Sequence, residues 1–159
     1  MRLADGLHVS GGFEFKHYRG GALLETRSVQ NLVVDGGIAA VAGLIIQTGS
    51  TAPFAYVAIG TSTQAAASSD TALYSELTTG GGQRGSATLS RVTTDVTNDT
   101  AQLVKTFSFT TTSGYAVTEA GVFNAVTTSS GTMLCRQIFA AINVINLDTL
   151  AVTYKLDCD

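Results

Sequence analysis

Five carboxylates could in principle serve general acid–base chemistry of the glycosidase kind, in which two carboxyl groups flank the bond to be cleaved. They are Asp70, Glu76, Asp95, Asp99 and Glu119. Spacing along the chain places no two of them in one cleft, and surface carboxylates are ordinarily solvated. The two histidines, His8 and His17, both lie near the N-terminus. Neither fits HExxH or another ligand pattern, and Glu14 stands at no useful interval from them. Cys135 and Cys158 make no metal or redox spacing and belong to no nucleophile signature with histidine. They read as reduced, half-buried thiols rather than as a disulfide. A nucleophilic hydrolase needs an activated nucleophile and a base, and G-x-S-x-G is absent. The expectation is a non-enzyme with no catalytic, cofactor or metal residues.

Two glycine-containing stretches invite a phosphate-binding reading. In "VAIGTSTQAAASSDTALYSEL" (57–77) an apolar strand runs into Gly60. A P-loop needs a lysine after a second glycine, and Gly60 to Ser69 holds neither a second glycine nor a positive charge. In Gly80-Gly81-Gly82-Gln83-Arg84-Gly85, backbone amides and Arg84 could hold an anion. A flexible hairpin tip is the preferred reading there. Glu119 is the more telling acid. It sits in "VTEAGVFNA" among Val117, Val122 and Phe123, and charge is rarely left unpaired inside a sheet. Either it faces solvent, or it accepts backbone amides from a neighbouring loop or pairs with Arg91 or Arg136. The loop from Gly60 to Ser69 is the natural amide donor.

The elements that must position these residues are mostly strands. Phe13, Phe15 and His17 alternate with Glu14, Lys16 and Tyr18, and Gly20-Gly21 marks a turn, so the first 30 residues predict a hairpin arm. Neither face of its second half is clearly apolar, which suggests that much of the arm lies on the surface. "DGGIAAVAGLIIQT" (35–48) switches to a helical period, with Asp35 as N-cap and Gly49 as stop. Its few polar residues predict a helix near residues 36–47 buried on most sides. Further strands are predicted at 54–60, 87–97, 102–112, 116–126, 133–145 and 149–158. Asn98-Asp99-Thr100 turns the second of these into the third. A single helical turn capped by Asp70 is expected over 70–77. Cys158 continues the apolar face of Leu150, Val152, Tyr154 and Leu156, and so is expected to pack. The fold class is mainly β: an antiparallel β-sandwich, jelly-roll-like, with one buried helix. One domain is expected, residues 1–30 forming its arm and 31–159 the sandwich.

Composition narrows the partners. Only 13% of the 159 residues are charged and the net charge is −3. That is about half the usual charged fraction, so close association meets little repulsion. With no basic run, nucleic acid is excluded as an expected partner. The longest run without a polar side chain, Ile38 to Ile46, is too short to cross a bilayer. The first residues show no signal-peptide core. Both faces of 133–145 carry apolar residues: Met133, Cys135, Phe139 and Ile145 on one, Leu134, Ile138, Ile142 and Val144 on the other. One face is expected to pack the core and the other a neighbouring molecule.

Three pieces taken in order carry a resemblance. They are "NLVVDGG" (31–37); "VAIGTST" followed by "DTALYSEL"; and "VTEAGVFNA" followed by "MLCRQIF" and "LDTLAVTYKL". Together they resemble tailed-bacteriophage virion structural proteins of the capsid decoration (cement) or tail-fibre-like group, over about residues 13–156. The chain departs from that pattern in lacking a second glycine in 61–69 and in the glycine-rich 79–86. The resemblance implies a non-enzymatic protein that binds the major capsid protein and stabilises the outer shell. The alternative is a tail or fibre-base component, or a receptor-binding module, with tail proteins as partners. It further implies a homo-oligomer, a trimer by preference, located in the virion and assembled in the bacterial cytoplasm. In this reading Gly60–Leu77 is a structural loop, with Asp70 and Glu76 as capping and ion-pair residues.

Overall fold

The computed structural model describes residues 9–48 and 52–158. Its elements run β1 (Val9–Arg19), β2 (Ala22–Gln30), β3 (Leu32–Val33), α1 (Asp35–Ile46), β4 (Tyr56–Gly60), β5 (Gly85–Ser86), β6 (Thr88–Val92), β7 (Thr100–Ser108), β8 (Tyr115–Phe123), β9 (Met133–Val144) and β10 (Thr149–Cys158). All strand pairs are antiparallel, in two five-stranded sheets of order β2-β1-β10-β7-β6 and β3-β9-β8-β4-β5. This is the expected sandwich. Inward-facing Phe13, Phe15, Phe107, Leu150, Val152 and Tyr154 of the first sheet meet Val57, Ile59, Val117, Val122 and Ile142 of the second.

The first sheet keeps a wet outer face, whereas the second is covered on both sides. Ala58, Phe123 and Met133 point away from the sandwich interior and are buried beneath Val34, at the entry to α1, and Leu73 of the loop after β4. At its start, the second apolar face of 133–145, expected to pack a neighbouring molecule, packs against its own chain, whereas Ile145 at its far end is exposed. Over Met133–Arg136 every residue is buried, and α1 and the loop from the same chain are what cover it.

Other expectations change as well. The hairpin 9–30 forms with Gly20 and Gly21 at positive φ, but it is not mainly a surface arm. β1 lies inside its sheet, paired with β10 from Val9↔Cys158 to Tyr18↔Thr149, and Phe13, Phe15 and His17 are buried. Of the hairpin's two strands, β2 is the exposed edge. Helix α1 has the expected extent, yet only Gly37 and Ala40 are buried, and Ile38, Ile45 and Ile46 are exposed. Its N-cap is Val34 rather than Asp35, and Gln47 ends it in the left-handed conformation, φ 52°. The expected stop, Gly49, lies outside the described residues, as does His8. Residues 70–77 form turns and an isolated bridge rather than a helical turn, because Glu76 pairs with Gly60 and draws the segment out beside β4. β8 stops at Phe123, where Asn124 turns away to accept the Thr132 amide at 2.6 Å. Cys158 is exposed, because β10 and β1 run on past the core at their far ends.

Candidate functional site

The chemistry-bearing residues singled out in the sequence converge on the covered face of the second sheet. β4 ends at Gly60, opposite Glu119 of β8. The chain then leaves the sheet over 61–74 and returns beside its starting point. Thr61 donates its amide to the Ser75 carbonyl at 3.0 Å, and Leu77 donates to Ile59 at 2.9 Å. Closed at the neck in this way, the segment is a compact Ω-loop. Gly60 is required at the neck. A Cβ there would collide with the Glu119 carboxylate and the Ser75 carbonyl.

Glu119 is wholly buried. Its carboxylate accepts the backbone amides of Ser75 (2.7 Å), Tyr74 (3.2 Å) and Ser62 (3.4 Å), and it binds Arg136 Nε at 2.9 Å and Nη2 at 2.8 Å. Both sequence alternatives for a partnered Glu119 are therefore realised at once, with Arg136 rather than Arg91, which is exposed in the other sheet. Arg136, also fully buried, donates to Asp70 (3.0 Å) and to the carbonyls of Gln64 (2.9 Å) and Ala65 (3.3 Å). The Tyr74 ring covers its guanidinium at 4.6 Å, and the Tyr74 hydroxyl donates to Asp70 at 3.1 Å. Burial pushes the Asp70 carboxyl up, but the Ala67 amide and Arg136 outweigh it and leave it below the usual carboxylate range. Next to Glu119 the register of β8 against β9 shifts, and Thr118 turns its hydroxyl to the Ser62 carbonyl at 2.8 Å.

Arg84 belongs to the same layer. It is neither an anion receptor nor a hairpin tip. Buried, it grips Glu76 with two hydrogen bonds of 2.8 and 2.7 Å, lies 3.5 Å from the centre of the Phe123 ring, and donates to the carbonyls of Ala125, Thr127 and Ser130. The glycines before it are positioned by packing. Gly81, at φ +85°, lies against the Ser108 carbonyl so closely that a Cβ would overlap it. Asp70 and Glu76 are thus ion-pair residues as expected, but with no helical turn over 70–77 to cap, Asp70 instead accepts the Ala67 amide at 2.9 Å. Asp95 and Asp99 lie elsewhere, in the turn between β6 and β7, where Asp99 accepts the amides of Thr94, Asp95 and Val96. The five acids therefore share no cleft.

A second charged cluster was missed. Asp148, wholly buried in the β9–β10 turn, accepts Arg19 Nε and Nη2 at 2.8 Å each and the Ile145 amide at 2.9 Å; His17 Nε2 lies 2.8 Å away. The Arg19 hydrogen bonds, ahead of burial, hold its carboxyl well below the usual range. One signal for this cluster existed: His17 occupies an inward position after Phe13 and Phe15, and an inward imidazole needs a partner. The groups here tie β1 to the β9–β10 turn. Among the described residues, no set of three or more His, Cys, Asp or Glu is arranged to hold a metal ion. Cys135 is buried among apolar neighbours, which pushes its thiol up to about 12.

Both sheets and the loop therefore use their charged side chains as internal ties: a carboxylate caged by loop amides, and three guanidiniums, of Arg19, Arg84 and Arg136, that each join segments remote in sequence. No protein-family model matches the chain, and comparison with curated proteins and with solved structures returned no match.

Proposed function

We propose that the chain is a non-enzymatic structural protein of a tailed-bacteriophage virion, a capsid decoration protein that binds the major capsid protein and stabilises the outer shell. One observation carries the reading: all the motifs on which the resemblance rests except the closing "LDTLAVTYKL", which forms β10 in the other sheet, meet in a single clamp. Asp35 of "NLVVDGG" donates its amide to the Ser68 carbonyl at 2.8 Å and accepts the Ser68 hydroxyl at 3.2 Å. Gly60 of "VAIGTST", Asp70 and Glu76 of "DTALYSEL", Glu119 of "VTEAGVFNA" and Arg136 of "MLCRQIF" supply the rest. What these motifs have in common is rigidity of one covered sheet face. A rigid, weakly charged body suits work done by surface burial, where about 1,600 Å² in total supports specific binding. Repetition over a symmetric shell multiplies a modest contact into avidity.

The test is co-sedimentation of the purified protein with undecorated shells and, separately, with isolated tails. Saturable binding to shells and a raised shell melting temperature are expected. Binding to tails alone would transfer the protein to the tail or fibre base, and binding to neither would refute the reading.

A further inference from the structure

His17 stands between two carboxylates, and each ring nitrogen meets one of them. Asp148 lies well below the usual carboxylate range, chiefly through its Arg19 hydrogen bonds, so it is ionised and can only accept. The 2.8 Å contact to it therefore fixes a hydrogen on His17 Nε2. In a neutral ring Nδ1 is then a bare acceptor. It faces Glu25 Oε1 at 3.8 Å, an acceptor against an acceptor and beyond hydrogen-bond distance. The two residues are direct cross-strand partners on β1 and β2, and the pairing slips beside them, with Leu24 as the extra residue of a bulge. Glu25 uses its other oxygen, Oε2, to bind Arg27 at 2.8 Å, and Arg27 reaches across to the Ala140 carbonyl of β9. The order of groups is thus Arg19, Asp148, His17, Glu25, Arg27. Their charges alternate only when the middle member is positive.

We infer that His17 is a proton-operated latch: a proton on Nδ1 draws Glu25 into a hydrogen bond, joins the two ion pairs into one chain and fastens the β2 edge to the rest of the sandwich. Closing the gap asks for a movement of about 1 Å, to the usual length of a charge-assisted bond. It leaves the Arg27 contact intact, because that contact uses the other oxygen. The output is local. β2 is held in its sheet by β1 alone, and an edge strand opens at lower cost than the whole domain. Although buried, the ring lines an open surface hollow, which admits the proton. β9 lines the same hollow with Ala141, Asn143 and Ile145, and β10 pairs Leu150 with His17. On β1 itself, Lys16 is engaged with Glu14. Among the described residues, then, the charged groups that face the ring are Arg19, Glu25, Arg27 and Asp148. The bond exists only in the protonated form, so its contribution is present at low pH and lost as pH rises through the titration of the ring. Histidine ordinarily changes charge between about pH 5 and pH 8, above the range in which aspartates titrate. The inference does not depend on the virion reading.

Nitrogen-resolved NMR of the full chain follows the ring directly, with His8→Gln assigning the signals, since His8 and His17 are the only histidines. The Nε2–H tautomer is expected at about pH 8, and protonation of both nitrogens at about pH 5.5. Amide exchange, corrected for its intrinsic pH dependence, should show the β2 amides about two- to five-fold better protected at the lower pH, the effect of a partly exposed ion pair. Glu25→Ala should abolish that gain. Glu14→Ala, which removes a β1 carboxylate paired with Lys16 rather than with the ring, should keep it. Glu25→Gln is the second variant, in case alanine disturbs the hairpin. Its amide can donate to the neutral ring or accept from the charged one, so protection should be equal at both pH values. An Nδ1–H tautomer at the higher pH, a ring still neutral at the lower, or wild-type protection independent of pH would overturn the inference. So would a gain that survives both substitutions of Glu25.

Discussion

Glu119 and Gly60 are mutually dependent. The carboxylate fills the space a side chain at residue 60 would take, and in that space it closes the loop neck and neutralises Arg136. Glu119→Gln leaves Arg136 with half its counter-charge and sets an amide N–H₂ among backbone donors. Breaking one side of a buried pair costs about 3–5 kcal/mol. Urea unfolding should therefore show a loss of at least ~3 kcal/mol, as a lower midpoint at unchanged slope. Gly60→Ala should destabilise to a similar degree, and a wild-type midpoint for it would mean that the neck opens at no cost. Cys135 gives an independent residue-scale test. With its thiol pushed up to about 12 by burial, it should resist alkylation at pH 8 in the native state and react on unfolding, as mass mapping of the modified peptide would show. Glu119 was legible in the sequence because a charge inside an apolar strand has to be satisfied. The Arg84–Glu76 pair was not, since eight residues of irregular chain encode no geometry. Asp148 was hidden for the same reason, in a turn whose partners lie some 130 residues earlier.

At the scale of elements, strand alternation revealed the inward sets of β1 and of β10 as far as Tyr154, failing only towards the β10 end where Cys158 is exposed, because period two assigns faces directly. Helical period identified α1 but could not say which face the sheet would take. A helix apolar all round reads as buried whether its own chain or another molecule covers it. The hairpin shows the opposite failure: weak polarity on β2 suggested a surface arm, although its partner β1 is interior. That position fixes what truncation does. Removing residues 1–30 strips Phe13 and Phe15 from the core and bares β10 from Thr149 to Cys158. An exposed long edge beside an opened core leads to aggregation. The truncated chain is expected to be insoluble, or to elute in the void volume on size exclusion. A soluble, cooperatively unfolding 31–159 fragment would show that β1 and β2 are dispensable.

For the whole molecule, acid is the perturbation that reaches both ties together. Asp70 fastens the loop to the second sheet through Arg136, and Asp148 fastens β1 of the first sheet to the β9–β10 turn through Arg19. Both carboxyls lie below their ordinary value in the folded protein. In the unfolded chain an aspartate titrates near ~3.9, so as pH falls the unfolded state takes up these protons before the native state does. Stability must then decline with falling pH in that interval, because it follows the difference in bound protons. The contribution of the two groups is complete above about pH 5 and lost progressively below about pH 4. Since the ties hold different sheets, their loss should weaken the sandwich as one body rather than free a single loop. Thermal unfolding followed from pH 7 to pH 2 should therefore give a plateau and then a steep fall, with one transition throughout. Asp148→Asn should start from a lower melting temperature at pH 7 and fall less steeply below pH 4, one linked proton having been removed. A variant whose acid limb runs parallel to the wild type would show that Asp148 is not among the groups that set the acid stability of the fold.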